Sequence, residues 1–143
     1  MAMERGPARS LQAAAPQQMS VLFVDPDVEG AQRLARAIAG IAVTTIVPTA
    51  QAALHALRSQ LPTLVVTEVA LPDASGIELL ARIHANPATR RVLLMVVTSR
   101  TSIQEKIAAF QAGADDYLVK PLEPQQFLMH LRLLTRFRQV TGI

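Results

Sequence analysis

The chain has 143 residues, of which half are hydrophobic, and its formal net charge is +3. This length and apolar content suit one folded domain with a single core. The chain has no cysteine, which excludes disulfides and thiolate metal sites and favours a cytoplasmic location. The longest apolar runs have about strand length, far below the roughly 18 residues of a membrane span, so we expect no membrane segment.

Short apolar runs of high β-propensity recur along the chain and are predicted to be strands: residues 20–24, 43–47, 63–67, 92–98 and 116–120. The segments between them carry apolar residues at helical spacing, such as Ile103, Ile107 and Phe110 in the fourth segment. A last helix is predicted after Pro124. Strands that alternate with helices in this way predict an α/β fold, a doubly wound parallel sheet with helices on both faces.

The two ends of the chain are expected to lie outside the folded domain. Residues 1–18 have prolines, mixed charge and no continuous apolar run, and are predicted to form a flexible N-terminal tail. The folded domain is predicted to span residues 19–138, and residues 139–143 a short C-terminal tail. The last helix is basic, but without a lysine cluster or a recognition motif we do not expect nucleic-acid binding.

Polar side chains stand where the predicted strands end. In doubly wound sheets the functional crevice lies beyond the carboxyl ends of the strands. The residues at or just after these ends are Asp25, Asp27, Glu68, Thr98, Lys120 and Pro121. Acids, a hydroxyl and an ammonium at one edge could bind a phosphoryl group or a hard cation, so we expect one converged site there.

These residues also carry a family resemblance. The run "AAFQAGADDYLVKPLEPQQFLMHL" resembles the end of the receiver domain of bacterial two-component response regulators, and "VDPD", "LPDASGIELL" and "VVTSR" fall at the matching places. The resemblance covers roughly residues 20 to 138 and implies the flavodoxin-like sheet with strand order 2-1-3-4-5. In this family, acids at the ends of strands one and three hold Mg²⁺, and the strand-three aspartate accepts a phosphoryl group from a histidine kinase.

The resemblance assigns a role to each matching residue. Asp25 takes the place of the first acid, Thr98 that of the phosphate-contacting hydroxyl and Lys120 that of the phosphate-contacting lysine. Tyr117 takes the place of the aromatic residue that changes rotamer together with the hydroxyl. The family also implies a cis bond between Lys120 and Pro121.

The chain departs from the family pattern at the phospho-acceptor, where Glu68 replaces aspartate, and at the second acid, where Pro26 stands. A nucleophile displaced by about 1 Å can lose on the order of a hundredfold in rate. We therefore expect no metal cofactor. If Mg²⁺ does bind, Asp25, Glu68 and the Ala70 carbonyl are the expected ligands, with Asp27 as a substitute unless it only caps the first helix.

The sequence thus predicts an atypical receiver, not an enzyme, that signals by phosphorylation-independent protein contact. Glu68 would either mimic the phosphorylated state or only neutralise Lys120; the alternative is a Mg²⁺-dependent phospho-accepting receiver of a phosphorelay. The expected partner is a histidine kinase, a downstream signalling protein or a second copy. The family implies contact through the fourth helix, fifth strand and fifth helix, around Lys106, Tyr117 and Arg132. About five residues follow the last helix, so we expect no output domain in this chain.

Overall fold

Strands and helices alternate along residues 18–141, the part of the chain that the computed structural model describes, with side chains described up to residue 136. The strands are β1 (Met19–Val24), β2 (Ala42–Val47), β3 (Leu64–Thr67), β4 (Leu93–Thr98) and β5 (Asp116–Val119). The helices are α1 (Val28–Ala37), α2 (Ala50–Ser59), α3 (Gly76–Ala85), α4 (Ile103–Ala112) and α5 (Pro124–Thr141). Every predicted strand overlaps an observed one, which confirms the predicted alternation.

The strands form one parallel sheet in the order β2-β1-β3-β4-β5. This order confirms the doubly wound, flavodoxin-like fold. The strand order reverses at β1, which pairs with β2 on one side and β3 on the other, and Val24 lies opposite Thr67 in the β1–β3 pair. Asp25 and Glu68, the next residues along each strand, are therefore brought side by side at the carboxyl edge of the sheet.

The core consists of two apolar layers, one on each face of the sheet, because successive strand side chains point to opposite faces. Val21, Phe23 and Val66 face α1 and α5, whereas Leu22 and Val65 belong to the layer that contains α2, α3 and α4. β3 and β4 are buried along their whole length, as strands covered on both faces must be.

Helix α4 turns its apolar stripe away from the core. The spacing of Ile103, Ile107 and Phe110 predicts the helix correctly, yet these side chains are 73%, 51% and 43% exposed. Ala109 is the buried residue of this helix. The apolar face of α4 is therefore a surface feature and does not pack on the sheet.

Helix α5 packs on the sheet through Phe127 and Leu131, which are fully buried, and Phe127 lies against Phe23 with ring centroids 5.7 Å apart. The helix continues to Thr141. It therefore extends beyond residue 138, the predicted end of the folded domain. Most of the predicted N-terminal tail, residues 1–17, lies outside the described residues, so its boundary stays a prediction. Within residues 18–141, no helix has the length and apolar character needed to cross a membrane.

Candidate functional site

The carboxyl edge of the sheet brings Asp25, Glu68, Thr98 and Lys120 together. Asp25 and Glu68 follow β1 and β3, Thr98 ends β4 and Lys120 follows β5. The first three are almost completely buried, at 8%, 7% and 0% exposure, which is unusual for polar side chains. Buried polar groups need partners, so the contacts among these residues determine what the site can do.

Lys120 is shared by the two carboxylates. Its Nζ donates to Asp25 Oδ2 at 2.8 Å and to Glu68 Oε2 at 3.0 Å. Burial lowers the pKa of Lys120, but hydrogen bonds and charges from Asp25 and Glu68 raise that pKa above the usual lysine value. The ammonium is therefore charged at neutral pH and compensates part of the negative charge.

The second oxygen of Glu68 faces the backbone at the end of β3. The Val69 N–H donates to Glu68 Oε1 at 2.7 Å, and the Ala70 N–H donates to the same oxygen at 3.4 Å. Burial raises the pKa of Glu68, but the nearby Thr98 hydroxyl, the hydrogen bond and charge of Lys120 and the Val69 amide hold that pKa below the usual carboxyl value. Glu68 is therefore an ionised carboxylate with donors on both oxygens.

A glycine allows α3 to start directly against this strand end. A Cβ atom on Gly76 would lie 2.0 Å from the Glu68 carbonyl oxygen, a distance that real atoms do not reach. Ser75 caps the helix by accepting from the Ile77 N–H at 3.0 Å. The position of the Glu68 backbone thus depends on a side chain being absent at residue 76.

The residues at this edge do not fit Mg²⁺ well. Asp25 Oδ1 accepts from the Asp27 N–H at 2.9 Å, while its other oxygen faces Lys120. Asp27 caps α1, accepting from the Gly30 N–H at 3.1 Å, as expected for an N-cap residue. Pro26 has no side-chain oxygen, and a divalent cation needs several oxygen ligands. In the described part of the chain, no group of three or more His, Cys, Asp or Glu side chains could hold a metal ion.

Thr98 and Tyr117 meet at the backbone of Arg100, just before α4. The Arg100 N–H donates to Thr98 Oγ1 at 3.1 Å, and the Tyr117 hydroxyl donates to the Arg100 carbonyl at 3.1 Å. Tyr117 is only 6% exposed. Burial, followed by the charges of Glu105 and Glu68, raises the pKa of Tyr117, and the charge of Arg100 opposes this shift. Polar contacts through the Arg100 backbone thus join Thr98 and Tyr117 just before α4.

A cleft of about 240 Å³ opens beside the charged cluster, between α1 and the segment that follows β5. The bond between Lys120 and Pro121 in that segment is cis, as the family resemblance implies. Asp25, Asp27, Glu68, Lys120 and Pro121 at this cleft were predicted from the sequence, but its other walls were not. Those walls are formed by Phe23, Gly30, Ala31, Arg33, Leu34, Val66, Thr67, Val97 and Leu122.

The amides of Val69 and Ala70 were also missed, because nothing in a sequence marks which N–H groups will turn towards a carboxylate. A further polar contact lies outside the cluster, where Asp73 accepts from the N–H groups of Ala50 and Gln51 at 2.9 Å and so joins the loop before α3 to the start of α2. Neither contact has a spacing signature in the sequence.

Comparisons with known proteins agree with this fold. A family model described as "Response regulator receiver domain" matches residues 21–132. The chain is similar to the transcriptional regulatory protein BasR of Escherichia coli (strain K12), with 37% identity over 82% of this chain and 53% of BasR, so it spans about half the length of that relative. It also resembles the crystal structure of a putative response regulator from Chloroflexus aurantiacus J-10-fl, with 31% identity, a TM-score of 0.76 and coverage of 81% of this chain and 96% of that one. A CheY-like receiver domain protein from Methanospirillum hungatei JF-1, at 24% identity, has the same fold, with a TM-score of 0.82 over 88% of this chain and 100% of that one.

Proposed function

The chain belongs to the family of response regulator receiver domains, and we propose that it signals by protein contact without being phosphorylated. Receiver domains are signalling modules that interact with histidine kinases and effectors. The observation that carries the proposal is the state of Glu68, a buried carboxylate that stands at the phospho-acceptor position and has donors on both oxygens.

The chemistry of phosphoryl transfer disfavours Glu68 as an acceptor. The reaction depends on an accurately placed nucleophile and on neutralisation of charge on the phosphoryl oxygens. The extra methylene of glutamate moves the carboxylate by about 1 Å, which can cost on the order of a hundredfold in rate. Pro26 removes a carboxylate that the family uses for Mg²⁺, so the charge of an incoming phosphoryl group would also be poorly balanced.

The surroundings of Glu68 support its action as a partial mimic of the phosphorylated residue. In the family, the hydroxyl on strand four and the lysine on strand five contact the phosphate. Here Lys120 hydrogen-bonds to the Glu68 carboxylate, and the neighbouring Thr98 hydroxyl helps to lower the pKa of Glu68. Tyr117 is buried next to them, as expected once the hydroxyl is drawn towards the site. The mimic carries about one negative charge, where a phosphoryl group carries nearly two.

We place the signalling contact on the face of α4, β5 and α5, with a second copy of the chain as the occupant. Single exposed apolar residues are normal on a protein surface, but several of them on neighbouring elements favour an interaction site. Exposed apolar side chains occur on all three elements of this face; they are Ile103, Ile107, Phe110, Val119, Met129 and Leu133. A symmetric dimer uses the same patch twice, so the stripe of α4 can meet the apolar edge of α5 in the partner.

Treatment with a small-molecule phosphodonor tests the proposed function. After incubation with acetyl phosphate and millimolar Mg²⁺, intact mass spectrometry should find the protein unmodified. The Glu68→Gln variant serves as the matched control, because it keeps the side-chain length and removes the nucleophile. A stoichiometric, hydroxylamine-sensitive phosphoryl adduct on the parent protein that is missing from Glu68→Gln would instead establish the Mg²⁺-dependent phospho-accepting receiver.

A further inference from the structure

The cleft between α1 and the segment after β5 has the shape of a small-molecule site. Its volume, about 240 Å³, is slightly below the range of roughly 300 to 1,000 Å³ that drug-sized ligands occupy, so it suits a smaller molecule. Phe23, Leu34, Val66, Val97 and Leu122 give it apolar walls, and the charged cluster lies at one end. Ligand sites commonly combine apolar walls with a few converging polar groups in this way.

Small residues on α1 keep the cleft open. Gly30 and Ala31 line it in the first turns of the helix, and a longer side chain in place of Ala31 would enter the space. Glycine is a poor choice inside a helix on conformational grounds. At Gly30 a Cβ atom would lie 2.4 Å from Asp27 Oδ2, so the Asp27 carboxylate occupies the space that a side chain would need. Gly30 thus makes room for the Asp27 cap, whereas the small side chain of Ala31 leaves space in the cleft.

The charges around the cleft favour a cation. Its acidic lining residues are Asp25, Asp27 and Glu68, and its basic ones are Arg33 and Lys120, so three negative and two positive groups leave a net charge of −1. Lys120 is already shared between Asp25 and Glu68. A carboxylate oxygen can accept more than one hydrogen bond, so these acids retain acceptor capacity for a second ammonium group.

We propose that this cleft binds a small organic amine, with its ammonium at the carboxylates and its apolar body between Leu34, Leu122 and Phe23. A bound ammonium would compete with Lys120 for Glu68 and so change how firmly Glu68 holds Thr98. That regulatory consequence rests on the proposed function, whereas the binding does not.

Benzylamine is a suitable probe, and nuclear magnetic resonance titration of the full chain measures its binding. Saturable shifts should appear at the amides of residues 27–34, Lys120 and Leu122, with a Kd on the order of millimolar, as for a ligand of very few atoms. Benzyl alcohol, which has the same shape without the charge, should bind at least about tenfold more weakly, and benzoate more weakly still. This comparison uses the parent protein alone and does not depend on any variant folding.

Three variants test the position of the site. Ala31→Leu fills the cleft and should weaken benzylamine binding at least about tenfold, whereas Ala37→Leu makes the same change on α1 outside the cleft and should leave the binding unchanged. Arg33→Gln, at an exposed position, removes a positive charge and should tighten the binding. Equal affinities for amine, alcohol and acid, shifts that avoid these residues, or saturation by Mg²⁺ but not by the amine would each overturn the proposal.

The readouts keep the two proposals apart. Binding of benzylamine at the cleft without any change at Tyr117 would support the site and count against the Glu68 switch. Absence of amine binding in a protein whose Tyr117 does respond to Glu68→Gln would overturn the amine site alone.

Discussion

Replacing Lys120 with methionine should destabilise the fold by about 3 kcal/mol at neutral pH. Methionine keeps an unbranched apolar stem, so the change removes mainly the ammonium group. Two carboxylates whose side chains are only 11% and 9% exposed would then face each other without a cation. Removing one partner of a buried ion pair typically costs about 3 to 5 kcal/mol, and the lower end applies because the Lys120 side chain is 25% exposed.

The loss of stability in Lys120→Met should depend on Glu68, because it arises from negative charge that no cation compensates. In a Glu68→Gln background, a single carboxylate, Asp25, remains beside residue 120, so the same lysine replacement should cost about 1 to 3 kcal/mol less. The penalty should also shrink at low pH. Without Lys120, burial raises the pKa of Glu68, and the side chain becomes neutral at a higher pH than in the parent protein.

Urea unfolding of the parent, both single variants and the double variant gives this coupling energy directly. Lys106→Met, at an exposed position on α4, is the matched control and should change the free energy of unfolding by less than about 0.5 kcal/mol. If the losses caused by Lys120→Met and Glu68→Gln add to within about 0.5 kcal/mol at pH 7, Lys120 and Glu68 are independent and the description of the site is wrong.

Three further predictions concern stability and assembly. The parent should lose stability as the pH falls below the ordinary glutamate pKa of about 4.3, because folding lowers the pKa of Glu68. The Glu68→Gln variant should lack this part of the acid-induced loss of stability. Gly76→Ala should cost about 2 kcal/mol or more in urea unfolding, since its Cβ atom would clash with the Glu68 carbonyl; a neutral result would mean that α3 starts farther from β3. Ile107→Glu should weaken self-association in sedimentation experiments, whereas Val43→Glu, at a comparably exposed position on β2, should not; equal effects would place the contact elsewhere.

The sequence predicted the alternation of elements because strands buried on both faces appear as continuous apolar runs, and β3 and β4 are buried in this way. The order of the strands came from the family resemblance, since no residue pattern states which strands are neighbours. The sequence did not predict that the apolar face of α4 turns away from the sheet, because helical periodicity identifies an apolar face without indicating what covers it. Ile103 and Ile107 therefore lie in solvent despite their spacing.

The convergence of Asp25, Glu68, Thr98 and Lys120 was predictable, because the carboxyl ends of parallel strands meet at one edge of the sheet. The sharing of Lys120 between two acids was not predictable, since it depends on distances of 2.8 and 3.0 Å that only the folded chain defines. The cleft beside these residues was missed for a similar reason. Its shape depends on a small side chain on α1, and no sequence motif marks such a cleft.

The central claim, that Glu68 holds the site in a state like the phosphorylated one, is tested most directly by the accessibility of Tyr117. This residue is the only tyrosine of the chain, and there is no tryptophan, so intrinsic emission reports on Tyr117 alone. Acrylamide quenching should be compared between the parent, Glu68→Gln and Asp25→Asn, since both carboxylates contact Lys120 but only Glu68 is proposed to act on Thr98. We predict that quenching rises clearly in Glu68→Gln and stays at the parent level in Asp25→Asn, because only the first change releases Thr98 and lets the Tyr117 ring turn towards solvent. Equal quenching in all three proteins would contradict the claim and leave Glu68 as a carboxylate that only balances Lys120.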